Sequence, residues 1–234
     1  MLIFKKRNLI IISILIVTFL TYIFSLSMLN IRVNGISKNG FKKTIVLDAG
    51  HGGIDGGVIG ATTGVKESEL NLIFVRKLEQ IFVDAGFNVV LTRNTDAGLY
   101  GIATSSRKRR DMLKRKEIIL KAEPDAVISI HMNNYSLSSR RGAQVFYNSK
   151  LNESKMLAES VQNCFNNMPE ASRKCESLKG NYYILECSNF PSVICECGFL
   201  SNKEDELLLL SKEYQDKICY AIFSGVINFF TINN

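Results

Sequence analysis

His51 and His131 are the only two histidines in 234 residues. Each stands where an apolar, β-branched run gives out. Thr44-Ile45-Val46-Leu47 opens into Asp48-Ala49-Gly50-His51-Gly52-Gly53, and His131 closes the run that starts at Asp125. In α/β sheets, binding groups gather at the carboxyl ends of strands. The glycines beside His51 let the backbone turn tightly and leave the imidazole free to be aimed. A lone histidine is most often a core residue satisfied by hydrogen bonds; two of two at strand ends, one inside a glycine loop, favour a site. A catalytic Zn²⁺ takes three protein ligands and keeps a fourth position open for water. Glu67, just after the Gly56–Gly64 loop and at the start of a helical stretch, is the natural third ligand. An acid in that position would equally well complement the positive end of the helix, and spacing does not choose between the two.

A second carboxylate stands out for its surroundings. In the strand-like run Ser192 to Cys197, alternation sends Val193, Cys195 and Cys197 to one face and Ile194 and Glu196 to the other. An acid in so apolar a strand is costly to bury unless it is paired or close to a metal. Beside Gly198, Glu196 could act as general base towards a zinc-bound water, whose pKa a metal lowers to about 7. The plain alternative is a solvent-facing edge residue.

The elements that must carry these groups alternate. Strands are expected at 44–47, 87–92, 125–131, 143–147, 182–185 and 192–197. Helices are expected at 69–85, 107–122, 153–168, 203–210 and 213–230, with Gly86 and the Glu123-Pro124 step as stops. This pattern predicts a single α/β domain with a mixed, mostly parallel central sheet flanked by helices on both faces. It spans residues 44–231.

Two segments precede it. Lys5-Lys6-Arg7 introduces an uncharged, apolar run from Leu9 to Leu29, long enough at about 1.5 Å per residue to cross roughly 30 Å of hydrocarbon. Residues 1–29 therefore read as a signal-anchor, or as a signal peptide cleaved near Ser25-Leu26-Ser27, the length favouring the anchor. Residues 30–43 are a polar, basic linker. The rest of the chain is expected outside the cytoplasm, membrane-anchored or secreted.

With 46% hydrophobic and 22% charged residues, 16 Gly and 3 Pro, disordered and collagen-like chains are excluded. The net charge of +7 suits an anionic polymer as partner. Much of it lies in Arg107 to Lys116, where a solvated helix face is the usual explanation; no aromatic interleaving or binding motif supports nucleic acid. All six cysteines (Cys164, Cys175, Cys187, Cys195, Cys197, Cys219) fall in the C-terminal third. Cys195-Glu196-Cys197 is one residue short of zinc-finger spacing, and a core of this size needs no staples, so buried free thiols are expected.

Taken in order, several segments resemble the zinc-dependent N-acetylmuramoyl-L-alanine amidases. They are Val46 to Asp55, Lys66-Glu67 with Asn71-Leu72, Leu91-Thr92-Arg93, Ser129 to Asn133, Gly142 to Tyr147, and Glu196 to Asn202. The resemblance implies a Zn²⁺ held by His51, Glu67 and His131, Glu196 as the catalytic glutamate, and hydrolysis of the amide between muramic acid and L-alanine. The absence of wall-binding repeats looks most like the germination-specific amidases. This implies spore-cortex peptidoglycan as substrate and removal of stem peptides ahead of muramic-δ-lactam formation during sporulation. Glu186 departs from that pattern, standing where a basic residue is expected. A non-catalytic peptidoglycan-binding protein, or a zinc peptidase or deacetylase of another wall bond, would use the same groups. The residues leave open whether an accessory protein takes part.

Overall fold

The computed structural model describes residues 18, 19, 21 and 43–232, apart from 103 and 172. The expected membrane span and linker therefore lie almost wholly outside the described residues. Among those described, no helix is long and apolar enough to cross a membrane. Lys42–Asn234 forms one compact unit.

Its strands are β1 (Thr44–Ala49), β2 (Asn88–Leu91), β3 (Ala126–Asn133), β4 (Gln144–Tyr147), β5 (Leu178–Lys179) and β6 (Ser192–Phe199). They form a six-stranded sheet in the order β2-β1-β3-β6-β4-β5. Every neighbouring pair is parallel except β4 with β6, which run antiparallel. The helices are α1 (Glu67–Asp84), α2 (Arg107–Ala122), α3 (Asn152–Asn166), α4 (Tyr183–Glu186), α5 (Lys203–Leu210) and α6 (Lys212–Ile232).

Alternation along the strands divides the core in two. Val46, Val127 and Ile194 meet Ile119 of α2 and Ile184 and Leu185 of α4 on one face. The opposite residues, including Leu47, Ile128, Ile130 and Cys195, are fully buried and turn to the other face. There α1 packs on β1 and β3, α3 packs on β4 and β6, and α6 contacts both helices. Each large apolar side chain so buried, such as Phe74 or Leu78, contributes about 1.5–3 kcal/mol.

Several bounds shift by a few residues from expectation, and one element changes type. Where residues 182–185 are read as a strand, Tyr183–Glu186 form the short helix α4, with Leu185 N–H donating to Tyr182 O at 3.0 Å. The two-residue β5 just before it already takes the sheet edge, so the apolar pair Ile184 and Leu185 is better buried on the face than in a ladder. Strand β6 also runs on to Phe199. All six cysteines are free thiols; Cys187, Cys195, Cys197 and Cys219 are buried.

Candidate active site

Strand β2 lies on one side of β1 and β3 on the other, which opens a crevice at the carboxyl ends of β1 and β3. His51 comes two residues after β1, and Glu67 begins the helix that leads from β1 to β2. His131 lies on β3 and pairs in register with Glu196 on β6, which sets the two side chains next to each other on one face. The register then slips between His131 and Asn133, an irregularity typical of strands that end at a site. All four residues singled out in the sequence come together here.

Glu67 is the hub. Its Oε1 lies 3.2 Å from His51 Nε2 and 2.8 Å from His131 Nδ1. Its Oε2 accepts from Val58 N–H at 2.9 Å, and Oε1 also accepts from Met132 N–H at 3.2 Å. The carboxylate thus points away from its own helix end and into the crevice. The other nitrogen of His51, Nδ1, lies 3.0 Å from Asp55 Oδ1. Gly50 makes room: a Cβ there would stand 2.2 Å from His131 Cε1.

Electrostatics follow from this crowding. Burial lowers the His51 pKa, but the hydrogen bonds and charges of Glu67 and Asp55 outweigh it and raise it to about 9. Burial would raise Glu67, yet its two imidazole partners hold it well below the usual carboxylate range. At Glu196 burial wins over the lowering influence of His131 and His51. Burial pushes its pKa up to about 7, and its Oε2 has no hydrogen-bond partner. At 9% exposure on a central strand, it is no edge residue.

His51 has a backbone φ of +60°, a conformation that costs a non-glycine residue energy and needs outside support. Two buried arginines give it. Arg93 donates to Ala49 O and Gly50 O, each at 2.9 Å, and to Ser68 O at 2.8 Å. Arg115 donates to Ala49 O at 2.7 Å and to His51 O at 2.6 Å. Arg115 is held in turn by Asp48 at 2.5 Å and Asp111 at 2.6 Å. Asp48 also accepts from Ser129 Oγ and Thr92 Oγ1.

Sequence reasoning gave no role to Asp55, Arg93 or Arg115. Arg93 directly follows a strand, which is a usable signal. Arg115 sits inside a run that reads as a solvated face, and only its i+4 spacing from Asp111 sets it apart. Arg109, Arg110 and Lys114 of the same helix are exposed as expected.

The crevice widens into a groove of about 1040 Å³ across the strand ends. It runs from Tyr100, Arg107 and Lys108 beside His51 to Tyr182 and Tyr183 beside Glu196. An open groove suits a polymer better than a closed pocket would.

The fold and site are those of an α/β enzyme whose switch-point crevice joins two imidazoles to two carboxylates. The chain belongs to the N-acetylmuramoyl-L-alanine amidase family, whose model matches residues 45–228. It is 34% identical to the germination-specific N-acetylmuramoyl-L-alanine amidase of Bacillus subtilis over 193 residues, 81% of this chain and 80% of that protein. It is 27% identical to the amidase AmiA of Escherichia coli, over 82% of this chain and 78% of that one. Among solved structures it resembles the CwlD amidase of Clostridioides difficile, determined in complex with the GerS lipoprotein. That match has 36% identity and a TM-score of 0.77, and it covers 81% of this chain and 99% of the other. The protein is therefore an N-acetylmuramoyl-L-alanine amidase acting on peptidoglycan.

Proposed function

We propose that the enzyme is a zinc amidase of the spore cortex in which His51, Glu67 and His131 hold the metal and Glu196 moves the proton. The observation that carries this reading is the single oxygen, Glu67 Oε1, shared at 3.2 and 2.8 Å by two imidazole nitrogens.

Donor atoms of the three residues lie within 4.8 Å of one another. Ligands about 2.0–2.1 Å from a tetrahedral zinc stand roughly 3.3 Å apart, so the cradle fits that ion after small adjustments. The donor set, two nitrogens and one carboxylate oxygen, is that of a catalytic zinc with an open position. Asp55 on the far nitrogen of His51 is the customary partner of a metal-bound imidazole, fixing its tautomer.

Zinc in this cradle would supply Lewis acidity, polarising the lactyl carbonyl and acidifying a water molecule. Glu196 takes the proton from that water through its unpartnered Oε2 and passes it to the departing L-alanine nitrogen. The groove holds the glycan across the strand ends. Cutting there frees the lactyl carboxyl of muramic acid, which prepares it for δ-lactam closure. A role in the spore is supported by the name of the Bacillus subtilis relative, a germination-specific amidase. The complex of the Clostridioides difficile relative with a lipoprotein supports an accessory protein here too. The apolar run from Leu9 to Leu29 supports membrane anchoring.

The test is digestion of vegetative and cortex peptidoglycan by the full chain in mild detergent, with zinc added or chelated. Mass spectrometry should find new L-alanine amino termini only with zinc, and more of them from cortex. Equal release after chelation would sink the metal reading. Equal release from both walls would remove the cortex role.

A further inference from the structure

Residues 57–66 form a hairpin whose base is Glu67 itself. Val58 N–H donates to the Glu67 carboxylate at 2.9 Å, and Glu67 N–H donates back to Val58 O at 2.8 Å. Ile59 bridges to Lys66, and Gly60 N–H donates to Val65 O at 2.8 Å. The hairpin thus holds one carboxylate oxygen, Oε2, while Met132 N–H on β3 holds the other.

Its tip is gripped from the far end of the chain. Glu206, on α5 and 0% exposed, accepts from Thr62 N–H, Thr63 N–H and Thr63 Oγ1, each at 2.7 Å. Gly60 admits this approach, since a Cβ there would lie 2.4 Å from Glu206 Oε1. The next residue back, Asp205, accepts from Phe199 N–H at 3.0 Å and Gly142 N–H at 2.7 Å. Asp205 thereby holds the end of β6, the strand that carries Glu196. Ala61 N–H closes the connection by donating to Leu200 O at 3.1 Å.

We propose that Glu206 is a positioning residue for the reaction: it sets where the Glu67 carboxylate stands relative to His131 and Glu196. Two successive acids of one helix hold the two sides of the crevice, Glu206 the hairpin and Asp205 the strand. The chemistry demands a carboxylate. The two backbone N–H groups fall one on each oxygen, Thr62 on Oε2 and Thr63 on Oε1, and only a side chain with two acceptor oxygens satisfies both. Glutamine must turn its own NH₂ towards at least one of them. A hairpin so released lets the Glu67 oxygen drift from the imidazoles, and misplacements of about 1 Å are enough to cost about 10²-fold in rate.

The role rests on the assignment of zinc to His51, Glu67 and His131. The experiment measures the zinc dissociation constant by chelator competition, with kcat and KM at saturating zinc, for the full chain and for Glu206→Gln. Expected are about tenfold or greater weakening of zinc, as for lost outer partners of metal ligands, and a fall in kcat with KM little changed. Circular dichroism melting is recorded alongside. A lower melting temperature with zinc affinity and kcat both at the parent value would overturn the proposal and leave Glu206 as a plain fastening. Should Glu206→Gln fail to fold, Thr63→Val decides, because it removes one donor at an exposed position. About threefold weaker zinc binding supports the role, and unchanged binding overturns it. A parent chain that binds no zinc would instead sink the metal assignment itself.

Discussion

Glu196 and Asp55 flank the same cradle and should fail differently. Glu196→Gln keeps the shape and removes the base, so kcat should drop by about 10²–10⁴-fold while chelator competition finds zinc bound as before. Asp55→Asn weakens the acceptor that orients His51; it should lower zinc affinity by about 10–100-fold, with activity recovering at high zinc. A variant at 196 that lost zinc, or one at 55 that kept full affinity, would contradict these two roles. At this scale the sequence was most legible. Two histidines at strand ends, an acid at a helix start and an acid in an apolar strand are local patterns. Arg93 escaped because its partners are backbone carbonyls, which leave no trace in residue type, and Arg115 because Asp48 and the carbonyls it holds lie in a distant segment.

The elements show what holds such a site open. The turn after β1 bends through His51 at positive φ, and arginines from beyond β2 and from α2 hold three consecutive carbonyls. Arg115 depends on the buried carboxylate of Asp48. Burial opposes ionisation of Asp48, but Arg115, Ser129 and Thr92 overcome it and hold its pKa near 2, against an ordinary 3.8. The folded-state value is the lower one, so this stabilisation is complete above about pH 4 and is lost as pH falls towards 2. Asp48→Asn should cost about 3 kcal/mol at neutral pH, the scale for breaking a buried pair. Its urea midpoint should also change less than the parent's between pH 4 and 2. An acid limb as steep as the parent's would mean that Asp48 is not the group titrating. Helix α4 marks the limit of local reading. Tyr182 to Leu185 is a short apolar run that reads as a strand, but β5 already holds the sheet edge and Tyr183–Glu186 turns as a helix.

For the whole molecule, alternation of strands and helices was enough to predict one α/β domain with a mixed, mostly parallel sheet. The order β2-β1-β3-β6-β4-β5 was not readable. Insertion of β6 between β3 and β4 depends on pairings across 46–66 residues, which no window along the chain contains. Yet that insertion is what sets Glu196 beside His131. It also means that the site cannot exist in part. His51, Glu67, His131 and Glu196 converge only when β1, β3 and β6 are all paired.

The free thiols give the protein a lopsided tolerance of air. Burial lifts Cys187 to about 11 and Cys219 to about 12, and Cys195 and Cys197 higher still. In these four the reactive thiolate is therefore scarce while the chain is folded. Unfolding returns them to ordinary acidity and opens them to oxidation by air. Six cysteines can pair in fifteen ways, and none of the pairings belongs to the native structure. The folded enzyme should keep its activity through hours in aerated buffer. The same enzyme, unfolded in urea and returned to native buffer, should recover well only when a non-chelating reductant is present. Oxidation then acts as a ratchet on each unfolding event, so working life depends on how rarely the chain opens.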